Sequence, residues 1–518
     1  MLRLKLGRAK SGKTAAVMRE IEARVDARQG ETVLLVPEQY SHEAETELLR
    51  VCGDSLSLYA EVLSFTRLAS RVEAELGLGG RKYLDQGGRL LCLARALDAA
   101  GSRLKVFGAA RRQAPAQLSL LGAIDECKTG RVAAETLRGV PAEEGLREKL
   151  DDLALILDAY EAVAAQSGLD PLDRLTLLAE RIGDSACAGG AFYIDGFTDF
   201  TAQERAVIGA LLRGGAEVTV CLTCAGLAEG HEIFEPSRRA AVGLRDMAED
   251  LGVPCEITLS ADEEAASGPM AFLERELFSF RGAVCDAGGS VGLLRAASVP
   301  EECAHAAARC RRLVRETGCR WRDIAVAARD FEVYRAGLDS AFAHYGVPLY
   351  TAKKSDILSK PLPALITGAY AAVTRGWEYD DVFSYLKTGL AGLSLAETDA
   401  LENYAFLWSL RGSAWAKDED WTLHPDGFAR EFDDDSRERL AQINALRRRA
   451  AGPLRLLAAR GAEETTGAGQ ARALADFFDA LDLPPLLERR AGELKDLGMA
   501  QDAAEYVQLW DIIVNALE

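Results

Sequence analysis

The chain has 518 residues, too many for one hydrophobic core, since cores stop growing near roughly 250 to 300 residues, so two to four domains are expected. Apolar residues make up 48% and charged residues 27%, an ordinary globular composition that excludes a disordered chain and a disulfide-dense miniprotein. Sixty-one Lys plus Arg against 80 Asp plus Glu leave a net charge of -19, which excludes a surface that binds nucleic acid everywhere; any DNA contact has to be a local basic groove.

The opening MLRLKLGRAKSGKT lacks the apolar core of a signal peptide, and no stretch reaches the roughly 18 apolar residues of a membrane span. The expectation is a cytoplasmic chain that makes no membrane contact. The first β-type run is Leu2 to Leu6, followed by a Gly-rich turn, a helical stretch from Thr14 to about Ala27, and a second apolar run at Val33 to Val36. That order predicts a parallel sheet with crossover helices. From about Leu76 to Ala188 helical spacing dominates, as in Leu153, Ile156, Leu157, Tyr160 and Val163, and predicts a helical insertion. Strand-like runs return at Phe192 to Ile194 and Val218 to Leu222 and would complete the first sheet around it.

A second β pattern starts at Leu293 to Ala297 and Ile324 to Ala328, and beyond about Leu362 the pattern is helical to the end. The predicted fold class is α/β, with parallel sheets and large helical insertions. Residues 1–75 with 189–290 form a first domain and 76–188 its insertion; 291–361 start a second domain and 362–518 form a second insertion. Eleven scattered cysteines without a secretion signal read as reduced thiols. Cys221 and Cys224 form a CxxC, but in the β-like run EVTVCLTCA residues three apart face opposite ways, so they read as core residues rather than metal ligands. The five histidines are too dispersed for a metal cluster.

Gly7-Arg8-Ala9-Lys10-Ser11-Gly12-Lys13-Thr14 fits GxxxxGK[ST], directly after a strand and before a helix. Backbone N–H groups and the helix N-terminus would cradle the phosphates of ATP, Lys13 would reach the β and γ oxygens, and Thr14 would ligate Mg²⁺. A phosphate loop needs a carboxylate at the end of a neighbouring strand to hold the metal, and Asp195 after Phe192-Tyr193-Ile194 supplies it; the plainer reading of Asp195 is a helix cap or surface carboxylate. Gly196 follows, and glycine neither abstracts nor orients a proton. Asp199 and Glu204 are the nearest acids. Binding of Mg-ATP with poor or absent hydrolysis is therefore expected.

These segments together resemble the B-subunit family of AddAB helicase-nucleases, itself similar to superfamily 1 DNA helicases. GRAKSGKT is similar to the family's phosphate loop, LLVPEQYSHEAETELL to the segment after it, and VLSFTRLASRV to the next helicase-type motif. YIDGFTDFTAQE resembles the degenerate second motif, with Gly where helicases carry Glu, while RDIAVAARDFEVY followed by GVPLY resembles the start of the second motor domain. KTGLAGLSLAETDALENY, with Trp415 and Trp421 downstream, is more family-specific. The family loop usually has Gly where this chain has Lys10.

The resemblance implies a superfamily 1 helicase-like P-loop fold and a DNA repair and recombination role: resection of double-strand breaks beside an AddA-like motor and nuclease subunit, as a heterodimer. The B subunit would help scan single- and double-stranded DNA and contribute to Chi recognition. The family's nuclease domain and iron–sulfur cluster lie at its far C-terminus, and neither motif is recognisable before Glu518, so neither is expected here. The resemblance further implies Arg329 as a phosphate-sensing arginine, where a surface arginine at a strand end is the alternative, and Gln39, Ser64, Phe65 and Arg67 as DNA contacts. Phe65 equally fits a core position beside Val62, Leu63 and Leu68. Two other classes stay open: an active P-loop ATPase or small-molecule kinase, and a docking or scaffold subunit that binds neither nucleotide nor DNA tightly.

Overall fold

The computed structural model describes residues 1–518 other than 54–55, 79, 81, 229–230, 261–267, 280, 352–356, 429 and 518. The chain divides into two compact units, Met1–Arg295 and Ala296–Glu518. The first is built on strands β1 (Leu2–Gly7), β2 (Thr32–Leu35), β3 (Ala60–Leu63), β4 (Ala191–Ile194), β5 (Glu217–Thr223) and β6 (Cys255–Leu259). They lie in the order β3-β2-β4-β5-β1-β6, every neighbouring pair parallel.

Parallel sheets bury both faces, and the strand sequences show why this one can. On one face Leu2, Leu4, Leu6, Val33, Leu35, Phe192 and Ile194 pack against the helices Phe65–Glu75, Ala202–Arg213 and Glu235–Asp250 through Leu68, Ile208 and Leu244. On the other face Leu34, Tyr193 and Cys221 meet Val17 and Ile21 of helix α1 (Lys13–Asp26) and Leu48 of helix α2 (Ser41–Cys52). β6 is an edge strand, exposed along most of its length. Its charged and polar residues, Glu256 and Thr258, suit an edge that must not recruit another strand.

The chain from β3 to β4 carries the helical insertion, whose core is Leu93, Leu97, Leu121, Ile124, Ile156, Leu157 and Tyr160. Asp170 is fully buried there; the Tyr160 hydroxyl donates to it at 2.7 Å and the Arg89 Nε lies 3.1 Å away. A buried carboxylate is tolerable only with such partners. The insertion does not extend to residue 188 as the helical pattern suggested. Leu178, Ile182 and Cys187 already belong to the sheet's own core, and Gln203 donates to the Leu172 carbonyl at 2.6 Å. Helical spacing marks a helix without saying which core receives its apolar face.

In the second unit the helices Val299–Thr317 and Phe331–Tyr345 pack through Cys303, Ala307, Leu338 and Phe342. The helical region from Pro361 onward has a separate core around Phe383, Tyr404, Trp415 and Trp421, with the Tyr404 and Trp421 rings stacked 5.4 Å apart. Arg447 is wholly buried in it and donates to the carbonyls of Ala414, Lys417 and Asp418. The strands expected at Leu293–Ala297 and Ile324–Ala328 are a correction: neither segment pairs with a strand among the described residues. Leu293 is fully exposed, and an extended apolar run without a neighbour to take its backbone groups is not a strand. All eleven cysteines are free thiols, and among the described residues no helix is long and apolar enough to cross a membrane.

Candidate nucleotide-binding site

The loop from Gly7 to Thr14 joins the carboxyl end of β1 to the first turn of α1. Gly7 is closely packed: a Cβ there would lie 3.0 Å from the Ser11 Cβ and 3.2 Å from the Ser260 Cβ, and the Ser11 hydroxyl would have to turn aside. Gly12 caps α1 in the left-handed region at φ 77°, where it costs nothing. Lys10 also sits in that region, at φ 60°. A side chain there costs roughly 1 to 2 kcal/mol. Ala9 and Lys10 are exposed and Arg8 is half-buried.

Lys13 is the first residue of α1 and is buried. Its ammonium donates to the Gly7 carbonyl at 2.7 Å, the Arg8 carbonyl at 2.9 Å and the Ser11 Oγ at 3.2 Å. The lysine therefore ties the loop closed on itself through groups that phosphate oxygens can replace. An anion arriving over the loop meets the amino end of α1 and the Lys13 charge together.

Asp195 follows β4, two strands away from β1 with β5 between them. Its own N–H donates to the Leu35 carbonyl at 3.0 Å, extending the β2–β4 ladder by one bond. The carboxylate thereby reaches Thr14, whose hydroxyl donates to the Asp195 Oδ2 at 2.7 Å, while the Gly196 N–H donates to the Oδ1 at 2.8 Å. One carboxylate beside one hydroxyl is a donor set that suits Mg²⁺, which keeps several waters and takes its remaining oxygens from phosphates. Among the described residues no group of three or more His, Cys, Asp or Glu side chains is placed to hold a metal by itself.

Gly196 has φ 82°, and a Cβ there would sit 3.2 Å from the Pro37 Cδ and 3.8 Å from the Tyr40 Cδ2. A glutamate at this position would be strained in its backbone and pressed against the loop after β2. The nearby acids are already engaged. Glu204 closes the capping box of helix Ala202–Arg213, accepting from the Thr201 N–H at 2.8 Å, and Asp199 accepts from the Phe200 N–H at 2.7 Å. Beside Thr14, Asp195 and Gly196 opens a cleft of roughly 640 Å³, floored by Met18, Leu34 and Val36 and walled by Tyr40.

Gln39 lies in the short turn Glu38–Tyr40 after β2 and is exposed; Arg67, in the first turn after β3, is exposed as well. Ser64 and Phe65 are each 4% exposed. The Ser64 hydroxyl accepts from the Arg67 N–H at 3.2 Å as a helix cap, and the Phe65 ring meets Phe197 edge-on at 5.6 Å. Those two side chains serve the fold, and only Gln39 and Arg67 of the four present themselves at the surface. Arg329, in the second unit, is exposed directly after the unpaired Ile324–Ala328 segment. Cys221 and Cys224 are both buried, and desolvation pushes each thiol above its ordinary range. Sequence reading missed Pro37 and Tyr40 beside Gly196, and Phe234 and Glu274 against Arg8. The first pair carried a signal, a proline ending a strand beside a glycine-bearing turn; the second, distant in sequence, carried none.

The family described as "ADDB, N-terminal" matches residues 4–274. Relatives matched over the whole chain are each named as the B subunit of an ATP-dependent helicase/deoxyribonuclease. The protein of Desulforudis audaxviator is 36% identical, with 100% of this chain and 47% of the relative covered. That of Desulforamulus reducens is 33% identical with 47% of the relative covered, and that of Acetivibrio thermocellus 31% with 46%. The chain thus spans about half the length of the curated relatives it matches. A GxxxxGK[ST] turn after β1, an acid after β4 and a family match spanning both lead to one conclusion: the chain belongs to the AddB family, whose N-terminal region it matches.

Proposed function

We propose that this chain is the helicase-like part of the B subunit of an ATP-dependent helicase-nuclease that resects double-strand DNA breaks for recombinational repair. It binds Mg-ATP at Gly7–Thr14 and Asp195 and turns it over poorly. The relatives' shared name, the B subunit of a helicase/deoxyribonuclease, supports the class of reaction and a partner subunit, for which an AddA-like motor is the candidate. Scanning of DNA, Chi recognition included, is the role we assign to a nucleotide-holding subunit without a working motor. Gln39 and Arg67 are the DNA contacts carried forward, and Arg329 is kept as a phosphate sensor from the second unit.

The observation that carries this reading is the Thr14–Asp195 contact with Gly196 beside it. Thr14 and Asp195, the pair we assign to the metal, are in contact, while the residue after Asp195 has no side chain and a left-handed backbone that disfavours one. The loop is built to position phosphates; the residue after Asp195 is not built to position a water. Equilibrium binding of Mg-ATP to the wild type and to Lys13→Ala tests the site. Loss of a hydrogen-bonding charge on the phosphates should weaken binding about 10- to 100-fold, the equivalent of about 1.5 to 3 kcal/mol. Equal affinity for both proteins would overturn the reading. The scaffold alternative, which binds no nucleotide, predicts no measurable binding by either.

A further inference from the structure

Strand β6 brings the chain to the edge of the phosphate loop: the Ser260 N–H donates to the Leu6 carbonyl at 2.7 Å, and the Ser260 Cβ lies 3.2 Å from where a Gly7 Cβ would be. The helix Pro269–Glu276 then lies against the loop's second residue. Arg8 Nε donates to the Glu274 Oε1 at 2.8 Å and an Arg8 terminal nitrogen donates to the Glu274 carbonyl oxygen at 2.7 Å. The same guanidinium lies over the Phe234 ring, 5.1 Å from its centroid. The residues flanking the two holding elements also touch, the His231 ring meeting the Phe278 carbonyl and the Phe278 ring. Arg8 is thus held by a carboxylate, a carbonyl and an aromatic face, all from residues 234–274.

We infer that Pro269–Glu276 is a strap that competes with nucleotide for Arg8: a bound nucleotide draws the guanidinium toward its phosphates, and Arg8 releases Glu274. The inference rests on the nucleotide-binding reading of Gly7–Thr14. Three observations carry it. Arg8 stands inside the phosphate loop, so phosphates seated there lie within the range of its charge. The Arg8 and Glu274 side chains keep 27% and 35% of their surface exposed, so the pair is held weakly enough to be exchanged. The Glu274 carboxylate also places a negative charge at the rim of a site meant for anions, so the strapped state disfavours the ligand. Release would loosen the helix Pro269–Glu276, giving nucleotide occupancy a conformational output without hydrolysis.

The test uses the whole chain and four proteins: wild type, Lys13→Ala, Glu274→Gln, and Glu276→Gln as a control whose acid pairs with Arg275 rather than Arg8. Mg-ATP affinity is measured for each, and amide hydrogen exchange over residues 269–279 is measured with and without nucleotide. The expected result is tighter binding by Glu274→Gln, about two- to fivefold as suits a partly exposed ion pair. Glu276→Gln should match the wild type, and exchange across 269–279 should rise on nucleotide binding. Unchanged or weaker binding by Glu274→Gln, or no rise in exchange while binding still needs Lys13, overturns the strap and leaves the nucleotide site standing. Binding that ignores Lys13, or is absent, overturns the nucleotide site and the strap with it.

Discussion

β1 and the segment Ile324–Ala328 read alike in sequence, as short apolar runs each followed by a turn and a helix, yet they end differently. Leu2, Leu4 and Leu6 are wholly buried because β5 and β6 flank them and helices cover both faces. Val326 is 44% exposed, and its segment borders a cleft of roughly 810 Å³ between Trp321, Phe342 and Tyr350 rather than a neighbouring strand. An apolar run states that a segment can serve as a strand. Only a neighbour with free backbone groups makes it one, and in a parallel sheet that neighbour comes from far along the chain.

The largest effect that would break this comparison is a truncation in the paired region. Phe192→Ala in β4 should cost about 3 to 5 kcal/mol of unfolding free energy, as for other buried phenylalanines, whereas Leu293→Ala should cost nothing measurable. Urea unfolding followed by circular dichroism checks both, and equal losses would mean that an extended segment without a strand partner carries packing comparable to the sheet's. A smaller effect sharpens the view of the site. Gly196→Glu, which places an acid directly after Asp195, should destabilise the first unit by about 1 to 2 kcal/mol through its left-handed backbone and should not create ATP turnover. Gain of turnover would show that the loop after β4 rearranges freely.

Smaller still is the behaviour of the thiols. Cys221, in the central strand β5, and Cys224 just after it have thiols raised by burial, so at pH 8 they hold less thiolate than an ordinary cysteine. Iodoacetamide under native conditions should label the exposed Cys285 and spare both, as mass spectrometry of the digested protein would reveal. Because the folded sheet favours the neutral thiols, their contribution to stability is full below the ordinary thiol range and is lost as pH rises through the raised values. Rapid labelling of Cys221 would mean that β5 opens.

How far the sequence reached can be read from particular residues. Thr14 and Asp195, 181 positions apart, are in contact, as a Gly-rich turn after one strand and an acid after another suggested, although Asp195 follows a strand two places from β1 and not a neighbouring one. The order of the six strands, with β5 between β1 and β4, is not written in any of them. Neither is the reason for Gly196, which lies in a backbone angle and in Pro37 on a different strand's loop. Phe65 had two readings from its flanks, and the Phe197 ring decides for the core. Arg8 looked like a phosphate-loop residue and nothing more; its hold on Glu274 spans 266 positions and leaves no periodic trace.

The site is proposed to hold Mg-ATP and to turn it over poorly or not at all. Its most direct test is steady-state ATP turnover by the wild-type chain at saturating Mg-ATP, with and without single-stranded DNA. Turnover indistinguishable from that of Lys13→Ala, in a protein that binds Mg-ATP, is the predicted result. DNA-stimulated turnover that disappears in Lys13→Ala would contradict it and make the chain a motor.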